Sequence, residues 1–151
     1  MIDTENTMKL HSIPRPFLLL LACLALTQLP ASAGSYICKY PSGSRIFQYD
    51  GGYLCEYPSG KRLYKWDAPY ICSYPSGSRL FSFGGEYFCK YPSGDRIYAW
   101  KPPYIARYPS GSRLFAFDEK YATRYPSGDR LLQFDGHVPI ALVIAILTGL
   151  L

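Results

Sequence analysis

The sequence predicts an all-β protein built as a tandem β-hairpin repeat array, an antiparallel meander or hairpin superhelix, with helical segments only at its two apolar ends. Three observations carry that expectation. The tetrapeptide Tyr-Pro-Ser-Gly recurs six times, starting at Tyr40, Tyr57, Tyr74, Tyr91, Tyr108 and Tyr125, always 17 residues apart, and a fixed period is the mark of a repeat architecture. Short runs rich in tyrosine, aliphatic and aromatic residues flank every tetrapeptide, as strands flank a turn. A second period of 34 residues lies inside the first: copies one, three and five follow the glycine with Ser-Arg, at Ser44, Ser78 and Ser112, whereas copies two and four place Trp66 and Trp100 near the unit's end and leave through Ala68-Pro69 or Pro102-Pro103.

The chain opens with a leader over residues 1–33. Met8 to Arg15 is basic, Phe17 to Leu26 is apolar, and Ala31-Ser32-Ala33 suits cleavage; this is the layout of a secretory signal peptide. A mature start at Gly34 is expected, Met8 being an alternative initiator. The rival is a lipoprotein cut before Cys23, which the short apolar run ahead of that cysteine disfavours. The product is expected to be secreted or held in the periplasm or cell envelope.

Residues 34–136 form the six-repeat domain. Within each unit, proline at the second turn position and glycine in the left-handed position suit a three-residue hairpin loop with a bulge. Strict alternation from such a loop places Tyr36, Cys38, Tyr40 and Ile46 on one face and Ile37, Lys39, Arg45, Phe47 and Tyr49 on the other. Both faces carry apolar side chains, so the sheet must cover itself by curling, stacking or pairing. An open meander, a solenoid with one coil per repeat and a closed threefold barrel are all compatible. The hairpin array is favoured over the solenoid because direct stacking would bring Arg45, Arg62 and Arg79 within about 5 Å of one another, the strand spacing. Closure stays open at this level. Strands of five or six residues fall short of the roughly 9–11 that a membrane-spanning barrel needs.

Residues 137–151 are an apolar tail. Val138 to Leu151 is 14 uncharged residues, shorter than the ~17–25 of a spanning helix. It reads either as a helix that caps a sheet edge or packs on the sheet's apolar face, or as a membrane-interface contact.

Segments such as Tyr91-Pro-Ser-Gly-Asp-Arg-Ile-Tyr98 and Tyr57-Pro-Ser-Gly-Lys-Arg-Leu-Tyr64 resemble the core of MORN-type repeats and, more loosely, YD-type repeats. The resemblance covers Tyr36 to Gly136; the unit is shorter than a MORN unit and lacks its Tyr-x-Gly start. A MORN-like protein would imply hairpins used for protein or membrane contact, and a YD-like one a secreted shell or glycan contact. No binding residue transfers from either.

Candidate chemistry is sparse. Cys38, Cys55, Cys72 and Cys89 share one repeat position, where Ala106 and Thr123 stand in the last two copies. Hairpin spacing of roughly 10 Å exceeds the ~7 Å limit for a disulfide, so small buried thiols are expected. Their spacing is not that of a zinc ribbon, and no metal or cofactor is expected. Nucleophilic catalysis needs a base, usually histidine, and beyond residue 34 there is one, His137, outside the repeats; the chain does not read as an enzyme.

The remaining constellation is Arg45, Arg62, Arg79, Arg96, Arg113 and Arg130, with Phe47, Tyr64, Phe81, Tyr98 and Phe115 two residues on. On a regular strand each pair shares a face, where guanidinium and ring stack. As structure this is cross-strand glue. As function it is a ligand-binding strip for acidic sugars or phosphates. From Gly34 on the chain carries 14 Lys or Arg against 9 Asp or Glu, keeping the formal charge of +5, which favours anionic surfaces. The expected function is an exported binding module for an anionic glycan, a lipid headgroup or a partner protein, not for nucleic acid. The alternative is a self-associating structural or matrix protein, which proline and arginine in every unit oppose, since edge charge and proline block edge-to-edge growth.

Overall fold

A computed structural model describes residues 34–151; the leader expected over residues 1–33, with the rival cut before Cys23, lies outside the described residues. Each repeat is one hairpin. The twelve strands are β1 (Ser35–Lys39), β2 (Arg45–Asp50), β3 (Tyr53–Glu56), β4 (Arg62–Asp67), β5 (Tyr70–Ser73), β6 (Arg79–Phe83), β7 (Tyr87–Lys90), β8 (Arg96–Lys101), β9 (Tyr104–Arg107), β10 (Arg113–Phe117), β11 (Tyr121–Arg124) and β12 (Arg130–Asp135), and after them comes one helix, α1 (Ile140–Leu147). Every strand pairs antiparallel with the next, and β12 returns to β1, matching Tyr36 with Asp135 and Ile37 with Phe134. The expected meander is therefore closed. Closure supplies what a two-sided apolar sheet requires: one face is turned inward and no strand edge is left over.

The hairpin loop is one residue longer than expected. Lys39 N–H donates to the Ser44 carbonyl at 2.9 Å and Gly43 N–H to the Lys39 carbonyl at 2.8 Å, which leaves four residues, Tyr40 to Gly43, in the loop, with the Tyr40–Pro41 peptide cis. Gly43 does take the left-handed conformation, φ +70°, which glycine adopts without a Cβ penalty. Ser42 Oγ accepts the Ser44 N–H at 3.3 Å, and the equivalent serine does the same in the other five copies. The serines are turn formers.

A β-bulge then corrects the expected faces. Ile37 pairs with Phe47 but Cys38 pairs with Arg45, so Ile46 is extra; the shift recurs in all six hairpins. One extra residue exchanges the faces of the positions on either side of it. Arg45 therefore joins Tyr36 and Cys38 on the outside, while Phe47 and Tyr49 join Ile37 inside. At the far end of the barrel the connections differ in kind: Gly51-Gly52 and Gly84-Gly85 alternate with Ala68-Pro69 and Pro102-Pro103, as the 34-residue period suggests.

The barrel is filled by α1. Its sequence, IALVIAIL, has no polar side, and a helix apolar all round must be buried all round. Ala141 to Ala145 are each 0% exposed; five successive residues cover more than one 3.6-residue turn, so protein surrounds the helix on every side. What surrounds it is the inner wall, with Ile37, Leu54, Ile71, Phe88, Ile105 and Ala122 in the same apolar cluster. Eight residues at 1.5 Å each give about 12 Å of helix, which the strands can enclose. Each large side chain buried here stabilises the fold by roughly 1.5–3 kcal/mol. The tail does not cap an edge; it packs on the sheet's apolar face, with the sheet closed around it, entering at the connection end beside β12.

Candidate functional site at the turn end of the barrel

The bulge builds a repeated outer feature that regular alternation does not foretell. Arg45, diagonal to Tyr36 on the outer face, lays its guanidinium carbon 3.8 Å from the centre of the Tyr36 ring and 5.7 Å from that of Tyr57, the turn tyrosine of the next hairpin. The two rings meet edge to face at 5.9 Å and 88°. The pattern repeats around the barrel with Arg62, Arg79, Arg96 and Arg113, and it crosses the seam, where Arg130 lies 4.0 Å from Tyr121 and 5.6 Å from Tyr40 of the first hairpin. Backbone bonds trace the same ring: Tyr57 N–H donates to the carbonyl of the bulge residue Ile46 at 3.1 Å, and Tyr40 N–H to that of Leu131 at 3.0 Å. Each hairpin is thus riveted to its neighbour by a Tyr-Arg-Tyr sandwich and one hydrogen bond.

Cys38, Cys55 and Cys72 lie in this outer wall, each directly opposite its arginine and buried, with Cys89 half-buried. A small side chain there gives the arginine stem room to lean across onto the first tyrosine, and Ala106 and Thr123 meet the same need opposite Arg113 and Arg130. All four thiols are free. Closure does not bring them together, since successive hairpins stay about 10 Å apart. Burial pushes the Cys38 and Cys55 thiols up, partly offset by Arg45 and Arg62.

The six arginines share one exposed belt, on the face opposite to the one that strict alternation assigns them. Their expected aromatic partners are not with them. Phe47, Tyr64, Phe81, Tyr98 and Phe115 point inward and pack against the core. The partners that sequence reasoning missed are Tyr36 and the turn tyrosines, and their identity in all six copies was the available signal. Arg45 and Arg79 are raised further above their ordinary range by a hydrogen bond to the Tyr57 and Tyr91 hydroxyls, so these guanidiniums stay charged.

Charge is divided between the two ends. From the arginine belt to the turns, eleven cations stand against three acids, Glu56, Asp95 and Asp129; Lys39, Lys61, Lys90, Arg107 and Arg124 supplement the six arginines. Toward the connections, three lysines stand against six acids. All eleven cations at the turn end are exposed, and five turn tyrosines are 37–41% exposed among them. A guanidinium stacked through its face keeps N–H edges for an anion. The turn end is thus a basic, tyrosine-studded disc.

No family model, curated protein or solved structure matches this chain. The likeness to MORN-type hairpins therefore rests on the repeat sequence alone.

Proposed function

We propose that the protein is an exported, non-catalytic binding module that sets the turn end of its barrel on an anionic polymer or surface, an acidic glycan or lipid headgroups. The single observation that carries this reading is the charge division, eleven cations at one end of a chain whose net charge is only +5. Concentrating like charge on one disc raises the local potential far above what the net charge implies. The exposed turn tyrosines suit the same role, having an apolar body and a polar tip. Of the tail, the part left for a membrane-interface contact is Ile146 to Leu151, partly exposed for the most part. The serines are engaged in turns, and His137 lies at the opposite end, which supports a non-catalytic reading. The self-associating alternative is less well supported, because a closed barrel offers no edge strand for addition.

The experiment uses dextran sulfate against dextran and phosphatidylglycerol vesicles against phosphatidylcholine vesicles, over a salt series. Retention by either acidic partner that weakens with salt is expected. It should drop in a Lys90→Gln, Arg107→Gln, Arg124→Gln triple variant, which leaves every Tyr-Arg-Tyr sandwich intact. Equal retention by neutral and acidic partners, or a triple variant that binds as well as the parent, would overturn the reading.

A further inference from the structure

At the connection end the filling of the barrel is incomplete. After β12 the chain turns into the lumen along the β12–β1 seam, where Ser35 Oγ donates to the His137 carbonyl at 2.7 Å and Gly136 lies so close to Ser35 that an added Cβ would fall 2.6 Å from its hydroxyl. The entering segment, Gly136 to Ala141, forms one side of an opening bounded by the ends of β4, β6, β8, β10 and β12. The result is a cleft of about 970 Å³ whose wall is formed by Trp66, Phe83, Trp100, Phe117 and Phe134. Pockets for small organic ligands have this size and this mostly apolar lining, with a few polar groups at the rim.

The rim shows what the cleft prefers. Its carboxylates are Asp118 and Glu119. Asp118 Oδ1 is engaged in its own turn, accepting the N–H groups of Lys120 at 3.0 Å and Tyr121 at 2.6 Å. Glu119 makes no hydrogen bond or ion pair among the described residues, and it holds φ at +73° where the equivalent turns of copies one and three carry Gly51 and Gly85. A glutamate is thus kept in a conformation that suits glycine, beside a wall of aromatic faces. Lys120 and the start of α1 also border the cleft, and their positive character confines a cation to the Glu119 side of the rim. Aromatic faces and a carboxylate together recognise an organic cation.

We infer that this cleft is a binding site for a small amphipathic amine, its apolar or aromatic body against Trp66 and Trp100 and its ammonium at the Glu119 carboxylate. The site lies at the end opposite the basic disc, and the two assignments stand or fall separately.

The test reads the protein's own fluorescence. The chain has two tryptophans, and both line the cleft, so tryptophan-selective emission reports this site. Titrations compare phenethylamine, phenethyl alcohol and phenylacetate, which share a ring and differ in charge. A saturable change with the amine at about tenfold lower concentration than the alcohol is expected, the ratio that one charged hydrogen bond gives, with phenylacetate weakest. Glu119→Gly and Glu119→Gln should both reduce the amine to the level of the alcohol. The glycine variant also matches the backbone of the equivalent turns, so misfolding does not cloud the result. No saturable change with any probe, an alcohol or acid that binds as well as the amine, or amine preference unchanged in both variants would overturn the assignment.

Discussion

The two ends of this barrel are built on opposite principles. At the turn end, six copies of one loop repeat the same hydrogen bonds, the same left-handed glycine and the same Tyr-Arg-Tyr sandwich. At the connection end the loops differ from one another: paired glycines, proline links, and Asp118-Glu119-Lys120. Identity is needed where neighbouring hairpins must interlock around a ring, because one odd member would break the contact on both sides. Variation is tolerated where the links only join strands, and there the wall of the lumen is left partly bare. The uniform end specifies the barrel and the irregular end gives it an individual surface.

The largest expected effect comes from neither end but from the helix between them. Leu142→Asp places a carboxylate at a site with 0% exposure and no polar partner, a burial that costs several kcal/mol or more; loss of the cooperative thermal transition is expected. Leu142→Ala, at about 2–5 kcal/mol, should leave a folded but less stable barrel. If both variants melt like the parent, the helix is not part of the core.

Glycine and glutamate in matched backbone conformations sharpen the comparison. Gly111, with φ +71°, should cost about 1 kcal/mol on mutation to alanine, the penalty of a Cβ in left-handed conformation. Glu119→Gly should do the reverse, raising stability or leaving it unchanged. Denaturant midpoints of the two variants moving in the same direction would break the contrast.

The alternation of inner and outer residues is legible from the sequence up to the turn and illegible after it. Tyr36, Ile37 and Cys38 alternate as their spacing implies. Arg45 does not, because a bulge at Ile46 needs no special residue: an isoleucine or leucine there reads like any strand position. Closure is equally hidden, since it depends on accumulated sheet twist and on the number of hairpins that completes a ring, neither of which is a property of a single repeat. The tail's apolarity is plain, but its partner is the inside of the sheet, and only a closed sheet has an inside. The residue opposite each arginine is small and buried or half-buried, as its cysteine, alanine and threonine occupants imply.

Smaller effects test the belt. Arg96→Ala should lower the melting temperature measurably, because two rings lose their cation, whereas Arg107→Ala, which stacks on no ring, should not. Equal shifts would mean that the sandwich contributes nothing to stability. The smallest effect concerns the thiols. Because the native Cys38 and Cys55 thiols are raised above their usual range, the unfolded state loses its protons first as pH rises past about 8.5. Their contribution to stability is full below that pH and declines above it. Iodoacetamide should label the native protein more slowly than the denatured one, with four thiols counted in the folded domain; labelling at equal rates would contradict the burial.

The order of the elements along the chain also sets an order in time. Eleven of the twelve strand pairings join immediate sequence neighbours, and only β1 with β12 spans the whole domain. Local pairings form fast and distant ones slowly, so hairpins can accumulate one by one while the ring stays open. The residues that fill the lumen come after all twelve strands. Until they arrive, a growing sheet shows an uncovered aromatic face and two unpaired edges, the surfaces by which folding intermediates aggregate. The short apolar segment after β12 therefore decides when a chain of adhesive hairpins becomes a sealed and separate molecule.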